Sequence, residues 1–196
     1  EILRCLVGSE MCIRDSRDPR CTMTIVEFNT EHCGFEYDPS PAAKTVMNYT
    51  TGKTQSNQDT RIVNQYSSYT GLLWKKGIDA TWTVDQKVEQ DYIIMRYADV
   101  LLIYAEALNE LTSGQVYHLT TYTGADVEIQ RNVDEMRYAI KRIRMRAGVP
   151  DYTDETYNNP NDFRVKLKRE RQIELLGENS CLLYTSPSPR DISGSR

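Results

Sequence analysis

The clearest pattern of apolar and polar positions along the chain begins near residue 90. Apolar side chains recur there at steps of three and four residues, which places them on one face of an α-helix. They predict a long helix from about Gln90 to Thr112, and they are Tyr97, Leu101, Ala105, Leu108 and Leu111. Ser113-Gly114 follows, and glycine suits the left-handed position at which many helices end.

The same spacing returns twice in the C-terminal part of the chain. A second helix, closed by Gly148-Val149-Pro150, is predicted by Val133, Met136, Ile140, Ile143 and Ala147. A third helix is predicted to be capped by Asn161 or Asp162, and its apolar contacts are Phe163, Leu167, Ile173 and Leu176. The Thr-rich stretch from Tyr117 to Gln130 is interpreted as a connecting loop. Helices without intervening strands predict an all-α region.

The preceding stretch, from about residue 17 to residue 90, has no sustained periodicity. It is polar and rich in Thr, Asn, Gln and Tyr. Thr22 to Phe28 predicts a short strand, and Tyr69 to Trp82 predicts a hairpin or an irregular loop, since Gly71 and Gly77 bracket an apolar patch there. The fold class predicted for the whole chain is therefore mostly α, with irregular loops and a short hairpin.

Composition narrows the range of partners. The 196 residues carry a net charge of −4, which argues against nucleic acid, since such proteins present a clustered basic face. No run of 18 or more uncharged apolar residues predicts a membrane span. The five cysteines are scattered and form no CxxC pair, and His32 with Cys21 and Cys33 has no recognised ligand spacing. We therefore expect no metal and no cofactor.

Both ends of the chain differ in character from the rest. Residues 1–16 and 181–196 resemble translated sequencing-adapter peptides, and the second begins where a helical rhythm is still running. We therefore expect both to be artefacts outside the fold. The organisation predicted from the sequence is then a loop-rich region at 17–90, which could be the ligand side, and a helical region at 91–180.

Three motifs in the helical region resemble one known family. They are MRYADVLLIYAEALNEL (95–111), AIKRIRMRAGVP (139–150) and FRVKLKRERQIELLGEN (163–179). Their order and spacing are similar to the C-terminal helical region of SusD/RagB proteins, the nutrient-binding surface lipoproteins of Bacteroidetes. The matching positions are Arg96, Asp99, Ala105, Glu106, Ala107, Arg144, Arg146, Ala147, Gly148, Glu170, Arg171, Glu174 and Leu175.

The resemblance implies a binding protein and not an enzyme. It implies a tetratricopeptide-type helical scaffold, a glycan or peptide ligand, and delivery of that ligand to a SusC-like TonB-dependent transporter in the outer membrane. It also implies a lipid anchor that holds the protein on the extracellular face. The family's N-terminal half has no counterpart here, and its usual continuation is missing after Asn179. We therefore expect an incomplete domain.

The charged residues of the three motifs have two alternative interpretations. Glu170 and Glu174 lie four residues apart on one helical face, as a catalytic acid and base could. Arginine can instead pair with them in bidentate fashion, and this pairing holds a carboxylate in the charged form that a general acid must not have. We expect a structural ion network made of Arg96, Asp99, Glu106, Arg144, Arg146, Glu170, Arg171 and Glu174, and no catalytic residues.

Aromatic residues among polar ones are the candidates for ligand contact. A flat ring against the apolar face of a sugar, with polar groups nearby for the hydroxyls, is a typical sugar site. Tyr49 lies in such surroundings, and the ligand-binding residues we predict are Tyr66, Tyr69, Trp74 and Trp82. The alternative is that these rings pack the loops onto the scaffold.

Two other functions stay open at this point. A helical-repeat adaptor would bind other proteins and no small ligand, and a groove lined by Tyr and Asn from neighbouring helices would favour it. A glycoside hydrolase would need two carboxylates facing a common cleft. The acidic residues lie within Arg-rich helices instead, so a hydrolase is disfavoured.

Overall fold

The computed structural model describes residues 18–60, 67–79, 81 and 93–178. These residues divide into two compact units, one made of residues 18–81 and the other of residues 93–178. None of the helices in these ranges has the length and hydrophobicity that a membrane crossing requires.

The first unit is built on an antiparallel sheet. A short helix, α1 (Arg20–Thr24), precedes four strands that pair in chain order: β1 (Thr30–His32), β2 (Phe35–Tyr37), β3 (Thr45–Asn48) and β4 (Lys53–Ser56). The small core of this unit contains Val26, Tyr37 and Val46. Asn57 is fully buried, and its amide donates to the carbonyl oxygens of Asp38 and Ala43 at 2.8 and 2.9 Å.

Helix α1 lies where the sequence predicts a strand from Thr22 to Phe28, and that prediction is wrong, since none of these residues belongs to a strand. The reason is local. The Asp18 carboxylate accepts the backbone N–H of Arg20 at 3.0 Å, which starts a helical turn. The Thr24 hydroxyl then bonds back to the Arg20 carbonyl oxygen at 2.8 Å. Ile25 makes only an isolated antiparallel bridge with Trp74.

The second unit combines helices with a hairpin. Its elements are α2 (Tyr97–Glu110), β5 (Val116–Thr120), β6 (Asp126–Gln130), α3 (Val133–Arg146), α4 (Asp154–Asn158) and α5 (Pro160–Glu174). One face of each long helix contributes to a shared core, whose members are Ala98, Leu101, Leu102, Ala105, Leu108, Met136, Ala139, Ile140, Ile143, Tyr157, Phe163, Leu167 and Leu175.

Two of the three predicted helices differ from the prediction at their ends and in part of their apolar faces. Tyr97 of α2 is 63% exposed, and Leu176, beyond the end of α5, is 50% exposed, so neither belongs to the buried face. Helix α2 begins at Tyr97, because Arg96 is extended, and residues 93–95 before it are not helical. Helix α5 is capped by Asn159 and not by Asn161 or Asp162. The Asn159 side chain accepts from the backbone N–H groups of both, and Pro160 occupies the first turn, where its missing donor costs nothing.

Helix α3 ends where the sequence predicts, before Gly148-Val149-Pro150, and its start has a cap that the sequence analysis did not name. The Asn132 side chain accepts from the backbone N–H groups of Asp134 and Glu135 at the start. Gly148 follows the last turn with a φ of +71°, a value that glycine adopts without strain. Arg144 and Arg146 lie in the last turn, where positive charge is favourable beside the carbonyl end of the helix.

The prediction of a mostly α fold is wrong. Of the described residues, 37% are helical and 18% are in strands, which form one four-stranded and one two-stranded antiparallel sheet. The expected scaffold of helices alone is therefore not what these residues form. The largest error concerns Tyr117 to Gln130, which is a hairpin and not a connecting loop.

The hairpin forms because apolar and polar residues alternate along its two strands, over a short but regular stretch. Tyr117 pairs with Ile129, and Leu119 pairs with Val127, so apolar side chains share one face. Ile129 packs against the helical core. The other face carries polar pairs such as His118 and Glu128, in which the Nδ1 and Oε1 atoms lie 3.6 Å apart.

Candidate functional site

The predicted ligand residues Tyr66 and Trp82 lie outside the described residues, whereas Tyr69 and Trp74 lie on the same loop of the first unit. Backbone hydrogen bonds hold this loop, since Val26 donates to the Leu73 carbonyl oxygen at 2.9 Å and Lys75 donates to that of Thr24 at 2.9 Å. The Tyr37 hydroxyl adds a bond to the Gly71 carbonyl oxygen at 3.0 Å. The loop is therefore fastened at three points to the residues before β1 and to β2.

Trp74 is half-buried, and its indole N–H donates to the carbonyl oxygen of Lys76 at 2.6 Å. This bond satisfies the only polar group of the side chain within its own loop. This arrangement fits the alternative in which the Trp74 ring packs its loop against the rest of the unit. Because the ring is half-buried, only part of it is accessible to a ligand.

Tyr69 is 79% exposed, in a turn that runs from Ser68 to Gly71. Tyr49 is 48% exposed in the turn between β3 and β4, where the Asn48 side chain accepts from the backbone N–H groups of Thr50 and Thr51. Both rings are therefore presented by turns whose polar groups are already bonded.

Titratable groups lie close to this loop. Burial, and then the charge of Lys75, lowers the pKa of His32 from its usual 6.5, while Asp59 acts in the opposite direction. Burial also raises the pKa of the Asp59 carboxyl. Burial and the Asp59 charge together raise the pKa of Tyr37 to about 12, so its hydroxyl stays protonated and able to donate to Gly71.

The charged residues predicted for the second unit are brought together in three groups. In the first, Glu174 is 3% exposed and accepts from Arg96 at 3.0 Å and from Arg146. Arg96 also forms a bidentate pair with Glu178, at 2.5 and 2.7 Å. Hydrogen bonding to Glu178 is the largest cause of a raised pKa of the Arg96 guanidinium.

The second group surrounds Glu170, which is 1% exposed. Its carboxylate accepts from Arg144 at 2.5 Å and from the Tyr152 hydroxyl at 3.0 Å. The Arg144 guanidinium lies 3.9 Å from the centre of the Tyr152 ring and donates to the Pro150 carbonyl oxygen at 2.7 Å. The buried carboxylate thus meets a cation, and an aromatic ring covers that cation.

The third group is centred on Arg171 of α5. Its guanidinium donates to Asp99 at 2.9 Å and to Glu106 at 3.2 Å, both on α2. Together the three groups connect α2, α3 and α5 at their charged positions. All eight residues that the sequence suggested take part in one of them.

Sequence reasoning missed Glu178 and Tyr152, which complete two of these groups. Glu178 lies beyond the third helix and Tyr152 in a loop, so no periodic pattern marks either of them. Within residues 18–60, 67–79 and 93–178, no group of three or more His, Cys, Asp and Glu side chains could hold a metal ion.

The chain matches the sequence model of the SusD family over residues 9–181, so it belongs to the SusD family. Members of this family bind nutrients and glycans and are not enzymes. No curated protein and no solved structure matches the chain.

Proposed function

We propose that the protein captures an oligosaccharide or a peptide at the cell surface and passes it to a SusC-like TonB-dependent transporter. The observation that carries this proposal is the SusD family match over residues 9–181. On this proposal the protein lies on the extracellular face of the outer membrane, held there by a lipid anchor.

The proposal assigns different tasks to the two regions of the chain. Residues 17–90, with the exposed ring of Tyr69 and the partly covered ring of Trp74, form the ligand side. Residues 91–180 form the supporting scaffold, in which the network around Glu170 and Glu174 fastens the helices. Capture and release need no bond to be made or broken, and carboxylates paired with arginine suit support better than proton transfer.

Incubation of the chain with soluble oligosaccharides and peptides tests this function. We expect retention of a ligand by the protein and recovery of that ligand with its length unchanged. Cleavage of the ligand would contradict the proposal. A pull-down with a SusC-like transporter tests the partner, and we expect capture in detergent. The capture should survive a wash at about 0.5 M salt, where the Debye length is about 4 Å and attraction between exposed charges is largely screened.

A second candidate is a module that binds other proteins, and one observation favours it. Tyr97, Tyr104 and Tyr138 are all about half exposed or more, and they lie on the neighbouring helices α2 and α3. Tyrosine is enriched at the centres of protein interfaces. Transporter capture that is lost on Tyr104→Ala, with no oligosaccharide or peptide retained by the wild type, would favour this candidate over the first.

A further inference from the structure

Two turns in different units of the chain share one short sequence. Ser68-Tyr69-Thr70-Gly71 lies in the first unit, and Thr121-Tyr122-Thr123-Gly124 joins β5 to β6 in the second. Each has a hydroxyl residue, then tyrosine, then threonine, then glycine. Four shared residue types can arise by chance. The hydrogen bonds within the two turns show whether their structures are also similar.

The two turns have the same internal hydrogen bonds. The glycine N–H donates to the carbonyl oxygen of the first residue, at 3.2 Å in the Ser68 turn and at 2.9 Å in the Thr121 turn. The first and third hydroxyls lie 3.1 and 2.8 Å apart, respectively. The first hydroxyl also donates to the carbonyl oxygen four residues on, at 2.9 Å to Leu72 and at 3.0 Å to Ala125.

The glycines complete the likeness. Gly71 has a φ of +70° and Gly124 a φ of +82°, a region that other residues adopt only at a cost. Two further contacts fix the Thr121 turn, since Thr121 donates its N–H to the Ala125 carbonyl oxygen at 2.8 Å and its hydroxyl accepts the Ala125 N–H at 3.1 Å. Each turn is therefore closed by hydrogen bonds of its own.

Each turn presents the side chain of its tyrosine to solvent. Tyr69 is 79% exposed, and Tyr122 is fully exposed at the tip of the hairpin. A tyrosine has only two side-chain torsions to fix, and a turn closed by its own hydrogen bonds has little freedom left to lose on contact. Tyrosine flanked by Ser, Thr and Gly is the composition of loops that bind ligands with rigid rings and adaptable hydroxyls.

The chemistry of the turns indicates the ligand class. Neither turn contains a charged residue, so nothing in it selects a charged ligand. A lone ring offers one flat apolar face about the size of a single sugar ring, whereas a protein partner would need roughly 800 Å² of contact surface. Hydroxyls beside the ring suit a ligand that is itself polyhydroxylated.

We propose that Tyr69 and Tyr122 are stacking platforms for neutral sugar rings, and that the β5–β6 hairpin is a ligand-contact element. This deepens the proposed function and rests on it, because it takes the nutrient to be a neutral glycan. It also adds Tyr122, which lies outside the region to which the sequence assigns ligand contact.

Affinity electrophoresis of the 196-residue chain tests the proposal. The gels contain soluble neutral polysaccharides, namely an α-glucan, a mixed-linkage β-glucan, a mannan and a xylan. We expect retardation of the wild type by at least one of them and a dissociation constant about two- to ten-fold higher for Tyr122→Ala, the range of one aromatic contact. Tyr122→Phe keeps the ring and should stay near the wild type.

Val165→Ala is the control, because Val165 is 68% exposed on helix α5 and belongs to neither turn. Its retardation should equal that of the wild type. If the wild type is retarded and Tyr122→Ala is retarded equally, the hairpin assignment is overturned while the proposed function stands. If no glycan retards the wild type while peptide retention persists, the neutral-glycan ligand is overturned. If neither ligand class is retained, the proposed function itself fails.

Discussion

At the scale of single residues, the two buried glutamates explain why the charged motifs resemble a catalytic site. Glu170 and Glu174 lie on one face of α5, as a catalytic pair could, but each meets an arginine from another element. Burying a charge is costly unless it is paired, so each carboxylate requires its cation. We propose that these pairs fix how the helices of the second unit fit together.

The pair of Arg144 and Glu170 gives the sharpest residue-scale prediction. Arg144→Met leaves a carboxylate that is 1% exposed without its cation, so we expect a loss of about 3–5 kcal/mol in the free energy of unfolding. Urea denaturation followed by circular dichroism measures it. The double variant Arg144→Met/Glu170→Leu removes both charges and should be more stable than the single one.

A surface pair is the control for this prediction. Arg164 and Glu110 lie 2.7 Å apart, but their side chains are 39% and 50% exposed. Glu110→Ala should therefore cost less than about 1 kcal/mol. If Arg144→Met costs no more than Glu110→Ala, the network does not fasten the helices.

His32 gives a prediction of pH dependence in the first unit. Its pKa in the folded chain is lowered from 6.5, so the unfolded chain binds more protons and stability falls as the pH drops below 6.5. The fluorescence of the tryptophans during urea denaturation, at pH 7.5 and at pH values below 6.5, measures this loss. His32→Gln should be less sensitive to this change. Equal sensitivity in both proteins would refute the assignment.

At the scale of elements, the sequence predicted correctly those helices in which the helical spacing of apolar residues continues over several turns. Helix α3 was predicted because its apolar period runs over about four turns and ends at a clear stop signal, Gly148-Val149-Pro150. The hairpin was missed because each of its strands has five residues, too few for alternation to stand out among threonines. The signal was present, since Tyr117, Leu119, Val127 and Ile129 alternate with polar residues around Gly124.

The start of α5 shows how a one-turn error arises and how to test it. Asn159, Asn161 and Asp162 are all good caps, and only the backbone shows that Asn159 accepts the N–H groups of the other two. Asn159→Ala should cost about 1 kcal/mol in thermal or urea unfolding. Asn161→Ala should cost less than about 0.5 kcal/mol. The reverse order would move the cap to the position that the sequence suggested.

At the scale of the whole molecule, the family was predictable because three motifs stand in one order, and the match over residues 9–181 confirms it. The ligand contacts were less predictable. Trp74 has the composition of a sugar site around it, yet its indole N–H is bonded within its own loop. Tyr122 could not be found from composition, because its role depends on hydrogen bonds that close a turn.

The central claim is that this is a binding protein whose paired carboxylates support the fold and do no chemistry. The most direct test is to measure glycan retention and glycan cleavage together, for the wild type and for Glu170→Gln. We predict that the wild type retains a neutral glycan without shortening it, and that Glu170→Gln is less stable but retains as much per folded molecule. Shortened glycan from the wild type and none from Glu170→Gln would contradict the account.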